Sequence, residues 1–522
     1  MEITAAAGFC GAIWGSLPTE GSRFVVLSTG NEFYSLLLFA AAGVSRGADV
    51  SLAAKQDNLI GSESMTSNII EKLRELGYQT VTEDHYRAVE IWRQWYRGHV
   101  KSFHDYKVFN GLRHVPCQKV TAGLAKQACE DWADRLMNEK VTVSLSGEKE
   151  QAFFDQICEQ NRFRSMMNRY QELSFALGGA ACVVRLGGLT VDGRGKIAGT
   201  SGRLFLDFVT ADGIFPLSWK DGVVTECAFA TELAKGDSVF CYLQLHVLDE
   251  NGRYVICNHV YRKENETLTE IMPADVPGFE SVPACFHTGS SSPLFVLFRP
   301  NIANNLDISS PLGISVYANA IDQLKTCDNI FDSFNSEFAL GRKRIMVKPE
   351  GLRSADGEPY FDPNDLVFYL LPEDAKSGAT VQEMEATLRM DEHLAGMEMA
   401  MNLLAVKCGF SPGHWELDRK QRTLHTATEV ISTNSAEFRT LKKHEIILED
   451  ALISLARIIL KIGNIWFELG LNENVEISVN FDDSIIEDED ALFARDLKML
   501  DANILTKEEF RHRWVTEKEE TK

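Results

Sequence analysis

The stretch with the clearest potential for nucleotide chemistry is Gly193–Ile197, which reads GRGKI. A phosphate-binding P-loop needs a leading glycine before this stretch and a serine or threonine after its lysine. Both are missing, so the stretch predicts a glycine-rich turn between strands. The sequence also holds no GxGxxG after a predicted strand, no HExxH and no GxSxG. These patterns predict a protein that is not an enzyme.

Metal and cofactor chemistry find equally little support. His99, His104 and His114 lack the spacing of metal ligands, and the eleven cysteines form no CxxC pair. An odd, scattered set of cysteines fits a reducing cytoplasm better than a disulfide framework. The sequence therefore predicts no metal and no cofactor. A carboxylate pair assembled in space stays open, because Asp and Glu total 75 residues.

Length and charge limit the class of protein. The chain has 522 residues, of which 45% are hydrophobic, so two to four domains are expected. Its net charge of −22 differs from the basic balance of a free-standing nucleic-acid-binding protein. The longest apolar run, Phe33–Val44, is too short to span a bilayer, so the sequence predicts a soluble protein without a membrane contact.

A long helix is predicted in the stretch Ser309–Val347, and the other elements are arranged around it. Ser310 suits the N-cap and Pro311 the first helical position, which predicts a helix of roughly 40–45 Å. Asp328 is among the polar residues assigned to its outer faces. Apolar side chains recur at steps of three, four or seven, which is typical of one helix face: Ile314, Tyr317, Ile321, Leu324, Phe331, Phe334 and Phe338.

Further elements follow from pattern and turn residues. Helices with buried aromatics are predicted over residues 84–140, and an antiparallel β meander over residues 202–296, with turns such as Lys220-Asp221-Gly222. A second long helix carries an apolar stripe and ends near Gly409, and a third begins near Ala427. The stripe of the second helix consists of Leu388, Leu394, Met397, Met401 and Leu404. The predicted fold class is α+β.

Three blocks of this sequence resemble the portal proteins of tailed phages, nearest those of siphophages and prophages of Gram-positive bacteria. The first block holds WYRG, FHDY and ACEDWADRLMNEKV; the second holds Asn301, SPLGISVYANAIDQLK and FxxEFALGRKRI. The third reads ATEVISTNSAEFRTLKKHEIILEDAL. The blocks stand in the portal order and cover about Met65 to Ser484.

The resemblance implies a domain order. Residues 1–64 lie outside it, as either an extension from an upstream start codon with little order or a real N-terminal arm. The implied parts are a helical and β-rich wing (65–308), a first stem helix (309–341), a clip (342–380), a second stem helix (381–409), a tunnel loop (410–426), a long helix (427–470) and a helical crown (471–522).

The resemblance also suggests site residues. Stem packing between subunits is expected from Ile314, Tyr317, Ile321, Leu324, Phe331 and Phe338. The tunnel loop would hold His414, Trp415, Glu416, Arg419 and Lys420. The basic cluster Arg342, Lys343, Arg344 and Lys348 would lead into the clip. There we favour contacts with another subunit or an adaptor over DNA contact, since strong phosphate sites would stall translocation.

The implied function is a ring, usually of twelve subunits, at one capsid vertex of the virion. It would assemble in the host bacterial cytoplasm with scaffold and major capsid protein, dock the terminase large subunit and head-completion or adaptor proteins, and pass double-stranded DNA during packaging and ejection. Two alternatives stay open: another virion component such as a minor capsid protein, and a cytosolic α+β enzyme with a carboxylate site.

Overall fold

The computed structural model describes a large part of the chain in two units. These units are residues 1–61 and 62–522, and each is treated separately below. The described residues are 12–16, 23–29, 32–36, 65–109, 113–138, 140–199, 203–235, 238–264, 267–276, 279, 282–340, 344–347, 368–370, 381–384, 388–415, 427–481, 497 and 499–500.

Within its described residues, the first unit contains three strands, β1 (Ala12–Ser16), β2 (Arg23–Thr29) and β3 (Glu32–Leu36). They pair antiparallel in chain order, with Trp14 opposite Val25 and Val26 opposite Ser35. The sequence analysis assigned no strands here. Whether this unit is an added extension or an N-terminal arm stays a prediction.

The second unit begins with a group of six described helices; the first packs into a core with the strands of the later meander, and the last five share another apolar core. Trp92, Trp95 and Trp132 are buried in this core, which confirms that the aromatics predicted for residues 84–140 pack helices together. The acidic Glu83 and the left-handed Gly98 flank the second helix at positions that favour its start and end. The helices are α1 (65–75), α2 (Glu83–Tyr96), α3 (Lys101–His104), α4 (Leu124–Leu136), α5 (Glu148–Gln160) and α6 (Phe163–Leu177).

Fourteen further strands lie among and after these helices within the described residues. They are β4 (Asp105–Phe109), β5 (His114–Gln118), β6 (Thr142–Leu145), β7 (Ala180–Leu186), β8 (Thr190–Val191), β9 (Ile197–Gly199), β10 (Leu204–Thr210), β11 (Ile214–Lys220), β12 (Val223–Lys235), β13 (Ser238–Leu248), β14 (Tyr254–Glu264), β15 (Thr267–Ile271), β16 (Cys285–His287) and β17 (Phe295–Phe298).

These strands form two main sheets. Strand β7 lies between β10 and β17, and most of its side chains are buried, as expected for its continuous apolar sequence. Strands β11 to β15 form an antiparallel meander, with β16 paired to β14. This confirms the predicted meander and its turn at Asp221-Gly222. The disulfide Cys257–Cys285 joins β14 to β16, which the cysteine spacing did not indicate.

The first long helix, α7 (Ile321–Leu340), begins later than predicted. The segment before it packs across the end of α6 instead, where the amide of Val316 and the hydroxyl of Ser315 both donate to the carbonyl oxygen of Phe175. Gly178 and Gly313 make a close backbone contact at the same place. Because these polar groups bond to α6, Ser310 and Pro311 do not start a helix.

The region predicted to be the clip contains a small sheet of β18 (Arg344–Val347), β19 (Phe368–Leu370) and β20 (Val381–Met384), with β18 in the centre. Helix α8 (Met390–Lys407) follows, so the predicted start of the second long helix at residue 381 is wrong. The residues after 381 pair with β18 instead. Gly409, with a φ of +91°, stands at the predicted stop.

Helix α9 (Ala427–Phe467) begins where the sequence predicted the third long helix. Strand β21 (Ile477–Asn480) then pairs antiparallel with β6, so the chain after α9 returns to the first helical group. The structure is of the α+β class, which confirms the predicted class. Among the described helices, none combines the length and apolarity that a membrane crossing requires.

Candidate assembly and channel site

Helices α7 and α8 pack side by side and run antiparallel. Glu337 near the end of α7 accepts hydrogen bonds from the backbone and side chain of Arg389, which precedes α8. One turn away, the Oγ of Ser333 lies 3.1 Å from the Nε2 of His393. The hydrogen bonds from Arg389 lower the pKa of Glu337. The two helices thus lie together as one rod. The ion pair between Glu337 and Arg389 fixes the end of this rod where α7 ends and α8 begins.

The other end of this rod is anchored by Asp328, whose side chain is almost completely buried. One carboxylate oxygen accepts the amide of Ala122 at 2.7 Å, and the hydroxyl of Thr121 lies 3.2 Å from both oxygens. The second oxygen lies 3.1 Å from the Nε2 of His104. The amide of Val100 donates to the Nδ1 of His104, so the ring proton of the neutral imidazole is on Nε2 and is donated to Asp328.

The segment before α4 follows the same face of α7. The amide of Val120 donates to Asp332 at 3.0 Å, and the Nζ of Lys119 donates to the side-chain oxygen of Asn329 at 2.8 Å. Lys119 also lies 3.9 Å from the centre of the Phe103 ring. Residues 119–122 therefore bind α7 through consecutive polar contacts, with Asp328 as the most buried.

A second cluster lies where the chain leaves α8 toward the predicted tunnel loop. The Phe410 ring stacks on Trp132 of α4 with a centroid distance of 4.5 Å, and the His414 ring stacks on Phe410 at 4.2 Å. Asp131 of α4 accepts hydrogen bonds from the Nε2 of His414 at 2.9 Å and from the Nε1 of Trp415 at 2.8 Å. We call residues 408–415 the loop root.

The loop root is also bound to α9. Glu437 is buried, forms an ion pair with Arg135 of α4, and accepts the amide of Ser411 at 2.9 Å. The indole of Trp132 donates to the carbonyl oxygen of Cys408 at 2.9 Å. The root therefore connects α4, α8 and α9, so the loop's starting point is fixed to the subunit core.

Replacing Asp131 with asparagine should lower the free energy of unfolding by about 1–3 kcal/mol, because half-buried donors lose their charged acceptor. Burial alone would raise the pKa of Asp131, but hydrogen bonds from His414, Trp415 and Gln127 lower it. A lowered folded pKa means that this stabilisation is present above about pH 4 and is lost as the pH falls through the folded pKa. Urea unfolding should show a smaller difference between variant and wild type at pH 3.5 than at pH 7.

The matched control is Asp134→Asn on the same helix, because Asp134 is exposed and accepts a longer bond of 3.3 Å from Asn168. We expect its unfolding free energy to stay within about 0.5 kcal/mol of wild type. Equal losses for the two variants, or a loss at Asp131 that does not change with pH, would contradict the role given to its carboxylate.

Three of the predicted stem-packing residues are in the wrong place for contacts between subunits. Ile314 and Tyr317 lie before α7 and have no exposed surface, and Leu324 is buried as well. The hydroxyl of Tyr317 donates to the carbonyl oxygen of Trp92 at 2.9 Å. These side chains belong to the subunit's own core. The other three lie on α7: Ile321 and Phe331 are half-buried, and Phe338 is 45% exposed.

The exposed apolar face lies on α8, beside the predicted stripe. Met401 and Leu404 of that stripe are buried in the core, and Leu388 precedes the helix. Met399, Leu403 and Val406 follow one another by four and three residues and are 76%, 47% and 51% exposed. We call these three residues the α8 outer face.

The structure describes only some of the residues predicted for the clip and the tunnel loop. Arg344 is the first residue of β18. His414 and Trp415 were predicted to project on the tunnel loop, but both hydrogen-bond to Asp131, so they form its packed root. The following predicted residues lie outside the described residues: Arg342, Lys343, Lys348, Glu416, Arg419 and Lys420.

The sequence analysis missed the buried carboxylates Asp328 and Glu437 and the half-buried carboxylate of Asp131. Asp328 was assigned to a solvent face of its helix. Its partners Ala122 and His104 lie 206 and 224 residues away in the chain, so no local pattern indicates its burial. An acidic residue beside an apolar stripe was the only available signal, and it is common on exposed helices.

One comparison with known proteins identifies a family. The family model described as "Phage portal protein, SPP1 Gp6-like" matches residues 82–522, which is most of the chain. No curated protein sequence matches.

Among solved structures, a chain of "Neck of native GTA particle computed with C12 symmetry" is similar with a TM-score of 0.38 and 12% identity. The match covers 75% of this chain and 89% of that chain. The family match spans all the elements described here from α2 to β21, including the three long helices and the loop root. The chain belongs to the SPP1 Gp6-like family of phage portal proteins.

Proposed function

We propose that this chain is the subunit of a homo-oligomeric portal ring, of twelve copies in the usual arrangement, at one vertex of a phage capsid. The ring serves as the channel for double-stranded DNA during packaging and ejection. It docks the terminase large subunit and the head-completion proteins. It assembles in the host cytoplasm with scaffold and major capsid protein and stays in the virion. Membership of the portal family supports this proposal.

The α8 outer face is the observation that carries the proposal. Its three apolar side chains are in contact with water in the single subunit. Burying apolar surface is worth about 25 cal/mol per Å², and monomeric proteins seldom keep such side chains together on one exposed face. A second copy would cover this face.

The interface in a closed ring joins two different surfaces of neighbouring copies. The α8 outer face supplies one surface. The other surface is the exposed part of α7, where Phe338 and the half-buried Phe331 and Ile321 offer apolar atoms. The stem would thus be built from α8 of one subunit against α7 of the next.

The net charge of −22 suits a channel through which DNA slides. Duplex DNA carries about one negative charge per 1.7 Å, and a strongly basic wall would hold it through many phosphate contacts. An acidic wall repels phosphate and lowers friction. The basic residues Arg342, Lys343, Arg344 and Lys348 then serve contacts between subunits or with an adaptor.

The alternative of an enzyme with a carboxylate site finds little support in the described residues. Portal proteins are a structural family. Asp131, Asp328 and Glu437 are occupied by donors of their own chain, so none is a free general base. A minor capsid protein shares the compartment and would not form a closed ring.

Electron microscopy of negatively stained protein, together with native mass spectrometry, tests the proposal. We expect rings with a central hole and a mass near twelve or thirteen times the subunit mass of 58.4 kDa. If the purified chain alone is monomeric, the measurement is repeated with scaffold and capsid protein. A chain that stays monomeric in their presence contradicts the proposed function.

A further inference from the structure

Arg299 lies in an unusual position directly after β17. The carbon atoms of its side chain pack on the backbone of Gly313, where an added Cβ would lie 3.1 Å from the Cβ and 3.3 Å from the Cδ of Arg299. Its Nη2 reaches to 3.9 Å from the place of a Cβ on Gly222. Two glycines thus leave room for the side chain. Arg299 is half-buried there.

The guanidinium of Arg299 has no hydrogen-bond or ion-pair partner among the residues that the structure describes. It borders a cavity of about 780 Å³, which is also lined by Asp221, Asp450 and Glu473. None of these three carboxylates approaches it within ion-pair distance. Burial lowers the pKa of Arg299, with no acidic group opposing the effect. A partly desolvated charge without a partner is costly, so its retention here indicates a partner outside the part of the chain that the structure describes.

The charges around the cavity indicate what kind of anion fits. Arg299, Arg457 and Lys461 are matched by the three carboxylates, so the cavity carries no net positive charge. Lys461 is already engaged, since its Nζ donates to the hydroxyls of Ser291 and Ser292 at 2.9 Å. A polyanion such as DNA would meet three carboxylates in a cavity that carries only two guanidinium groups, those of Arg299 and the exposed Arg457. A single carboxylate matches the two-pronged donor geometry of arginine.

We propose that Arg299 receives an aspartate or glutamate side chain from a neighbouring copy of this chain, so that the cavity is a carboxylate-binding socket between subunits. Each copy carries 75 acidic against 53 basic residues, so surplus carboxylates are available on the neighbour. The wall of the socket includes Pro311–Gly313, just before α7. This inference rests on the proposed ring.

A chemical cross-link tests the socket directly. Arg299→Lys places a primary amine in the socket, and a carbodiimide joins an amine to a carboxylate only when the two are in contact. The variant is assembled from equal amounts of isotopically light and heavy chains, and the cross-linked peptides are identified by mass spectrometry. We expect residue 299 to link to one acidic peptide in mixed light–heavy pairs. Links only within one isotope, to Asp221, Asp450 or Glu473, or no link at all, would overturn the inference.

A second variant distinguishes loss of the socket contact from unfolding of the subunit and from failure to form a ring. Arg299→Gln keeps most of the packed carbon atoms and removes the charge, so the thermal midpoint of the separated subunit should stay near that of wild type. Rings of this variant should dissociate at an NaCl concentration at least twofold lower than wild-type rings. Two results would contradict the socket: dissociation at the same NaCl concentration as wild type, or reduced binding of a short DNA duplex by rings that are otherwise normal. Neither result would contradict the proposed ring. Wild-type chains that form no ring overturn the proposed function itself.

Discussion

Replacing Asp328 with alanine should lower the free energy of unfolding by about 3–5 kcal/mol, because three donors lose the charged acceptor they share and each hydrogen bond to a charged group is worth about 1.5–3 kcal/mol. The substitution leaves the amide of Ala122, the hydroxyl of Thr121 and the Nε2 of His104 without their shared acceptor. His104 has no exposed surface, so water cannot replace the lost carboxylate without rearrangement. Chemical denaturation of the separated subunit, followed by tryptophan fluorescence, measures the loss.

Asp332→Ala is the matched control for this prediction. Asp332 lies one turn further along α7, is half-buried, and accepts the amide of Val120 at 3.0 Å. Its removal should cost about 1 kcal/mol, the net value of an ordinary hydrogen bond. If the two variants lose the same stability, Asp328 is not the principal anchor between α7 and the segment before α4.

A negative charge on the α8 outer face should prevent ring formation. In Leu403→Glu the new carboxylate would be buried against the neighbouring subunit without a partner, which weakens each contact by at least tenfold, or about 1.4 kcal/mol. Because every subunit of a ring repeats the contact, the effect multiplies. Native mass spectrometry should show monomers where wild-type protein shows rings.

The matched control is Ile91→Glu on α2, because Ile91 and Leu403 are both 47% exposed. The control should leave the rings intact, and both variants should keep the thermal midpoint of the separated subunit within a few degrees of wild type. Normal rings from Leu403→Glu would place the subunit interface elsewhere. Loss of rings in both variants would indicate a general effect of surface charge instead.

Local sequence patterns predicted those parts of the fold that depend on neighbouring residues. The turn at Asp221-Gly222 and the alternating strands on both sides of it fixed the β meander, because such turns join adjacent antiparallel strands. Gly409 marked the end of α8, and the helix predicted to begin near Ala427, after a loop, is α9. In each case the residues that determine the β-turn or the helix terminus lie next to it in the sequence.

The predictions were wrong where contacts between residues far apart in the sequence determine the structure. Ile314 and Tyr317 continue the apolar periodicity of α7, yet the chain before Ile321 bonds to the carbonyl oxygen of Phe175, 140 residues away. Periodicity gives the face of a helix but not the place where tertiary hydrogen bonds replace helical ones. Local patterns likewise did not indicate the partners of Asp131, which are His414 and Trp415, 283 and 284 residues away.

The pairing of β6 with β21 has a consequence for the chain as it leaves the ribosome. Val143 pairs with Val479, so the first helical group lacks one strand until residue 480 has been made. At 5–20 residues per second, translation of the intervening stretch takes roughly 20–70 s. Through that time the backbone edge of β6 has no pairing strand, and an unpaired strand edge can pair with other chains. The part of the fold around β6 is therefore completed only late in synthesis, after residue 480 has been made.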